Sequence, residues 1–240
     1  MADRPSDWTY NNNMKNPVGC YRRTFTIPAS WNGRDVYVRF NGAGHGYYIW
    51  INGHFTGFAK DSYLPSEFKI TDYLQPGENS ISVQVYRFTS GSFLEDQDYW
   101  RLTGITRDVF LWSAPKTQIR DYFFRTNSLY NNNTSAIVSL NYQVTGNDLS
   151  NDSIEAKIMD GTAVISKQVK MVSPTNPSGA ISAIINNIEP WSAESPKLYD
   201  LVLTLKNGNN IIDVRGGKIG FKTVGIRNDG ALLINGKRII

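Results

Sequence analysis

Apolar and polar residues alternate through the first half of the chain, the period-2 pattern of strands with one buried and one wetted face. Tyr21–Ile27, Val36–Phe40, Tyr47–Ile51 and Ile81–Tyr86 each carry it, and no helix-period stretch of comparable length interrupts them. Between Trp50-Ile51 and His54-Phe55 lies Asn52-Gly53, a pair suited to a two-residue hairpin because both central positions need positive φ. Gln75-Pro76-Gly77-Glu78-Asn79 is a second stop, with proline presetting φ and glycine free to take the left-handed position. Short strands punctuated this way predict a sandwich or jelly roll that closes on Val109–Trp112.

Ser113-Ala114-Pro115-Lys116 breaks the pattern before Gln118-Ile119-Arg120-Asp121 resumes it, which places a domain boundary near residue 115. In the second half, strands are expected at Ala136–Val144, Ile154–Met159, Val164–Met171, Ala180–Ile185, Leu198–Leu205 and Ile211–Phe221, with Asp160-Gly161 and Asn207-Gly208 as turns. About seven short strands in about 105 residues fit an immunoglobulin-like sandwich without its disulfide. The expected division is therefore 1–115, 116–222 and a short remainder, 223–240. That remainder contains the hairpin Leu233-Ile234-Asn235-Gly236-Lys237 and ends on two isoleucines. It reads as the entry to a further domain, and the chain as a truncation of a longer protein.

Composition agrees with an all-β reading. The 13 Tyr, 11 Phe and 6 Trp favour strands, because ring side chains pack well on a pleated surface. A length of 240 residues suits two ordinary domains. The net charge of +4 is spread along the chain with no Lys/Arg run, which argues against nucleic acid as a partner. Cys20 is the only cysteine, so an intrachain disulfide and a cysteine-based metal cluster are both excluded. The opening Met1-Ala2-Asp3-Arg4-Pro5 has no apolar signal region, and no apolar stretch reaches about 18 residues. A soluble protein without a membrane span is expected, either cytoplasmic or with its export signal removed.

The most chemically suggestive segment is Gly91-Ser92-Phe93-Leu94-Glu95-Asp96-Gln97-Asp98-Tyr99-Trp100-Arg101, three carboxylates beside two aromatic rings. Acids accept hydrogen bonds from hydroxyls or supply hard oxygen ligands to a cation, and flat rings pack on the apolar face of a pyranose. The same residues also suit a purely structural role, with Arg87, Arg101 or Arg107 neutralising the acids and Trp100 in the core. Self-sufficient glycosidic hydrolysis is disfavoured: one acid would need an apolar, closed pocket to hold its proton, and this run is dense in like charge. His45 and His54 are read as surface or strand residues rather than zinc ligands. Asn41-Gly42-Ala43-Gly44-His45-Gly46 is read as a turn, since it lacks the lysine and following helix of a phosphate loop. No serine sits in a nucleophile-elbow pattern.

Several words of the sequence closely resemble glycoside hydrolase family 2 β-galactosidases of the bacterial lactose-splitting type. They are Asn16-Pro17-Val18-Gly19-Cys20-Tyr21, Asp61-Ser62-Tyr63-Leu64-Pro65-Ser66-Glu67-Phe68, the long run from Leu94 to Val109, Trp191–Tyr199, Gly220–Val224 and Leu233–Lys237. The resemblance covers nearly everything after residue 15. It implies a jelly-roll sugar-binding domain and an immunoglobulin-like domain, followed in the family by a (β/α)₈ barrel that bears two catalytic glutamates, so no catalytic residue is expected within these 240 residues. It also implies that Asp98, the second aspartate of Glu95-Asp96-Gln97-Asp98, reaches the galactosyl hydroxyls and a bound sodium once the barrel is present. Trp100, Arg101 and Arg107 are expected to support the loop. A substrate-contacting asparagine found upstream in some members has no counterpart in the residues before Asn16.

The expected parent enzyme thus hydrolyses terminal β-galactosides with retention, uses sodium and magnesium, works as a homo-oligomer, and resides in the cytoplasm or periplasm of a bacterium. Three alternatives stay open: an autonomous carbohydrate-binding module, a purely interacting sandwich, and β-glucuronidase or β-mannosidase activity in the parent.

Overall fold

A computed structural model describes residues 16–60, 64–93 and 102–239, which divide after Ala114 into two compact units. The first contains β1 (Val18–Thr26), β2 (Asp35–Phe40), β3 (Ala43–Gly44), β4 (Gly46–Ile51), β5 (His54–Ala59), β6 (Ser66–Lys69), β7 (Glu78–Tyr86), β8 (Gly104–Ile105) and β9 (Val109–Ala114). One sheet runs β1-β7-β4-β5, a second β6-β2-β9, and β3 pairs with β8 alone. Alternation decides the faces: Val36, Val38 and Phe40 of β2 and Tyr47, Ile49 and Ile51 of β4 are buried in one cluster with Val83 and Val85 of β7. This is the jelly-roll type of sandwich.

The hairpin expected at Asn52-Gly53 joins β4 to β5, with φ of 51° and 82°. Asn52 does more than accept the left-handed backbone. Its amide donates to the Tyr73 carbonyl (2.9 Å) and to Asn79 Oδ1 (2.8 Å), and its Oδ1 accepts the Ser80 N–H (2.8 Å). Asn79 is buried and ties Gln75 in turn, so both sequence stops belong to one polar network. β6 was not expected from the pattern, being four residues of mixed polarity. It is held by Glu67, whose carboxylate accepts the Trp112 indole N–H at 2.8 Å while that indole stacks on Tyr37 at 4.6 Å.

The second unit contains β10 (Gln118–Tyr130), β11 (Ser135–Thr145), β12 (Asp152–Asp160), β13 (Ala163–Met171), β14 (Ser178–Asn186), β15 (Tyr199–Asn207) and β16 (Asn210–Ile219). They form two sheets, β10-β11-β14 and β13-β12-β15-β16, the seven-strand antiparallel arrangement of immunoglobulin-like sandwiches. β10 extends far beyond the expected Gln118–Asp121. Two register shifts, after Ile119 and after Thr126, move its side chains out of simple alternation and hide the strand from a period-2 reading. Asp213 accepts the Ile119 N–H and the Arg215 Nε–H, both at 3.0 Å, which pins the start of β10 to β16. The Tyr199 hydroxyl accepts the Glu189 N–H at 2.9 Å, in the manner of a tyrosine corner.

Beyond β16, β17 (Val224–Ile226), β18 (Leu232–Ile234) and β19 (Lys237–Arg238) make a small meander that turns at Asn235-Gly236, both with positive φ. Asn235 fastens it: Oδ1 accepts the Thr223 N–H and the amide donates to the Trp191 carbonyl, each at 2.9 Å.

On the outward face of β12, buried Glu155 meets Lys157, Lys167 and Lys206 at 3.0–3.1 Å. The Lys206 ammonium foremost, opposed by desolvation and assisted by Lys167 and Lys157, holds its carboxyl at about 2 instead of the usual 4.5. A carboxyl depressed on folding stabilises the fold above its unfolded value and loses that contribution as pH falls toward its folded value. The melting temperature of the chain is therefore expected to fall more steeply between pH 4.5 and about 2 than that of Glu155→Gln. Parallel profiles in a thermal-melt series would refute the assignment.

Candidate functional site

The acidic run expected to carry the chemistry, with Asp98, Trp100 and Arg101, lies outside the described residues. Its two flanks are described, and the motif words map onto them. On the leading flank, the Asn16 side chain brackets the backbone of Phe88: its amide donates to the Phe88 carbonyl (2.9 Å) and its Oδ1 accepts the Phe88 N–H (3.0 Å). The Arg87 N–H donates to the Pro17 carbonyl at 3.0 Å. Ser92, fully buried, accepts the Thr89 N–H at 2.9 Å.

On the trailing flank, the Thr103 hydroxyl donates to the Gly44 carbonyl, and β8 pairs Gly104 with Gly44 and Ile105 with Ala43. Gly104 has φ of 118°, and the Tyr21 hydroxyl lies 3.0 Å from where its Cβ would be, so a side chain there would be both strained and obstructed. The Thr106 and Arg107 N–H groups share the Gly42 carbonyl at 3.1 and 3.3 Å. The Arg107 stem passes 3.1 Å from where a Gly42 Cβ would stand. Asn16, Tyr21 and Thr103 were quoted in the family words without a role. Only Thr103 carried a local signal, its adjacency to Gly104, whose backbone is approached closely.

Two expectations need correction here. Asn41–Gly46 is not a free turn: Ala43–Gly44 form β3, and the His45 N–H donates to the Tyr86 carbonyl at 3.1 Å. The stretch thus grips the leading flank through Tyr86 and the trailing flank through Gly42 and Gly44. His45 is not a surface residue either, being 1% exposed. The glycines around it, read as turn formers, instead let backbone press against neighbours, since a Cβ on Gly46 would sit 2.6 Å from Thr89. His54, by contrast, is exposed and opens β5.

The described flanks supply a frame and little acid–base chemistry. Burial pushes the Tyr47 phenol up to about 12, with Ser66 opposing, so it stays protonated near neutral pH. Among the described residues no group of three or more His, Cys, Asp or Glu side chains is placed to hold a metal ion, and no helix is long and apolar enough to cross a membrane.

Comparison with known proteins bears on what this frame serves. Residues 8–115 match the pattern of the glycosyl hydrolases family 2 sugar binding domain, and residues 117–222 match a second pattern of glycosyl hydrolases family 2. A β-galactosidase from Priestia megaterium is 42% identical over 94% of this chain, and one from Streptococcus thermophilus is 37% identical over 94%. The chain spans about 22% of the length of each. In fold it resembles a β-glucuronidase from Bifidobacterium dentium, with a TM-score of 0.81 and 21% identity over 92% of this chain and 42% of that one. With both units matched in order and relatives aligned along nearly its whole length, the chain belongs to glycosyl hydrolases family 2.

Proposed function

We propose that this chain is the leading, non-catalytic part of a β-galactosidase that releases terminal β-galactose with retention, and that it lends Asp98 to the sugar subsite. The observation that carries the reading is the identity of 42% and 37% to two proteins named β-galactosidase, aligned over 94% of the chain. Among the described residues the helical pieces are three 3-10 turns of three or four residues, and the two carboxyl groups that retention requires are assigned, on the family resemblance, to a barrel in the rest of the protein. The doubly clamped flanks support a positional role for the acidic run, since a substrate contact borne on a fixed frame loses less freedom on binding. Arg107, packed against Gly42, belongs to that frame, and Trp100 and Arg101 are assigned to it on the family resemblance.

Sodium and magnesium belong to the whole enzyme in this reading. The chain's own contribution in this reading is the Asp98 carboxylate, assigned on the family resemblance. The exposed Val224, Ile226 and Leu232 of the meander are an apolar surface suited to packing against the barrel. A homo-oligomeric bacterial enzyme completes the proposal.

The complete protein, assayed on nitrophenyl β-galactoside, β-glucuronide and β-mannoside, should show a kcat/KM for the galactoside higher by about 100-fold, or roughly 2.7 kcal/mol of differential transition-state binding. Preference for the glucuronide or mannoside would overturn the galactoside assignment.

A further inference from the structure

The outward face of the sheet β10-β11-β14 bears a groove of about 420 Å³, a size that accommodates a small ligand. Strand register gathers its walls: Asp121 lies opposite Gln143, Phe123 opposite Asn141, Gln143 opposite Ser178 and Asn141 opposite Ala180. Directly opposed residues on one face bring their Cβ atoms within about 5 Å, so a ring, a carboxylate and two amides surround one depression. The β14 side is low because its outward residues there are the small Ser178 and Ala180. A Cβ on Gly179 would lie 2.5 Å from the Tyr142 hydroxyl, so glycine lets the buried Tyr142 ring pass beneath β14 on the core side of the sheet.

The wall chemistry is unusual for a sheet surface. Phe123 is 61% exposed, although its ring would gain about 25 cal/mol per Å² by burial. Among the described residues, the side chains of Asp121, Asn141 and Gln143 have no hydrogen-bond or ion-pair partner. Among the described residues no lysine or arginine lines the groove itself, and the Lys170 ammonium donates to the carbonyl of the lining residue Ala180 at 2.8 Å. An apolar ring edged by unpartnered acceptors and donors matches one ligand chemistry closely: a pyranose presents a C–H face to an aromatic ring and a rim of hydroxyls to amides and carboxylates. The Asp121 carboxylate disfavours a uronic acid, because an unpaired negative charge would meet another.

We propose that this groove is a binding site for a neutral saccharide, separate from the Asp98 subsite and independent of the catalytic reading above. Phe123 provides the stacking platform, while Asp121, Asn141 and Gln143 bond the hydroxyls.

The test is saturation-transfer NMR on the full 240-residue chain, titrated with methyl β-galactoside, lactose and methyl β-glucuronide. Saturable binding of a neutral sugar in the millimolar range is expected, weakened at least tenfold by Phe123→Ala, weakened also by Asn141→Ala, and unchanged by Asp98→Asn. Both groove variants replace exposed side chains, and an unchanged melting temperature checks their folding. Absence of saturable binding overturns the proposal. So does binding that survives Phe123→Ala and Asn141→Ala, and if that binding is lost in Asp98→Asn it belongs to the other site. Equal affinity for the glucuronide refutes the assignment to neutral sugars.

Discussion

Phe221→Ala is expected to destabilise the second unit by about 3–5 kcal/mol, the range for removing a large buried ring without collapse of the cavity. Phe221 is fully buried and lies edge-on to Tyr199 of one sheet at 4.9 Å and to Phe124 of the other at 6.1 Å. It therefore closes the end of the sandwich where both sheets contribute an aromatic face. Edge-to-face pairs add about 0.5–1.5 kcal/mol beyond area burial. Their loss also loosens two polar ties: the Tyr199 hydroxyl that receives the Glu189 N–H, and the Phe221 carbonyl that receives the Trp191 N–H at 2.9 Å. Urea denaturation of the variant, with Phe123→Ala as the surface control, measures the difference. Phe123 precedes Phe124 in β10 but points outward, so its loss should cost under about 0.5 kcal/mol. A Phe221→Ala penalty below about 1 kcal/mol would mean that the ring does not close the core.

That contrast between neighbouring phenylalanines marks where sequence reading succeeds and where it stops. Asn52-Gly53 and Asn235-Gly236 were legible because positive φ is a local demand that few residues meet, and φ is positive at all four. Strands of clean alternation, such as Val36–Phe40 and Ala136–Val144, were legible for the same local reason. Tyr122-Phe123-Phe124 was not, because three consecutive aromatics do not reveal which of them faces out and two bulges shift the phase within β10. His45 was misread because its burial depends on contacts distant in sequence: Tyr86 across the sheet, and Thr103 and Gly104 beside Gly44. The frame around the acidic run was written in the family words Asn16–Tyr21 and Leu102–Val109, yet nothing in their spacing specifies that Asn16 brackets Phe88. The role of Asp98 came from resemblance alone, since three acids in four positions have no geometry until a fold supplies it.

Asp98→Asn in the complete enzyme is accordingly the substitution with the largest expected effect on turnover. Asparagine keeps the shape and one acceptor oxygen but removes the charge and puts an N–H₂ donor where the carboxylate had a second acceptor. Hydrogen bonds from sugar hydroxyls to a charged acceptor contribute about 1.5–3 kcal/mol, so kcat/KM should fall by roughly 10- to 150-fold. The division of that loss is informative. If Asp98 holds the galactosyl ring equally in ground and transition states, KM rises and kcat stays; if its contact tightens as the ring distorts, kcat falls. A carboxylate that also holds sodium adds a further signature, because the variant would then lose the dependence of its kinetics on sodium concentration. Unchanged kcat/KM with an unchanged sodium response would remove Asp98 from the subsite and leave the clamped flanks as a device for packing alone.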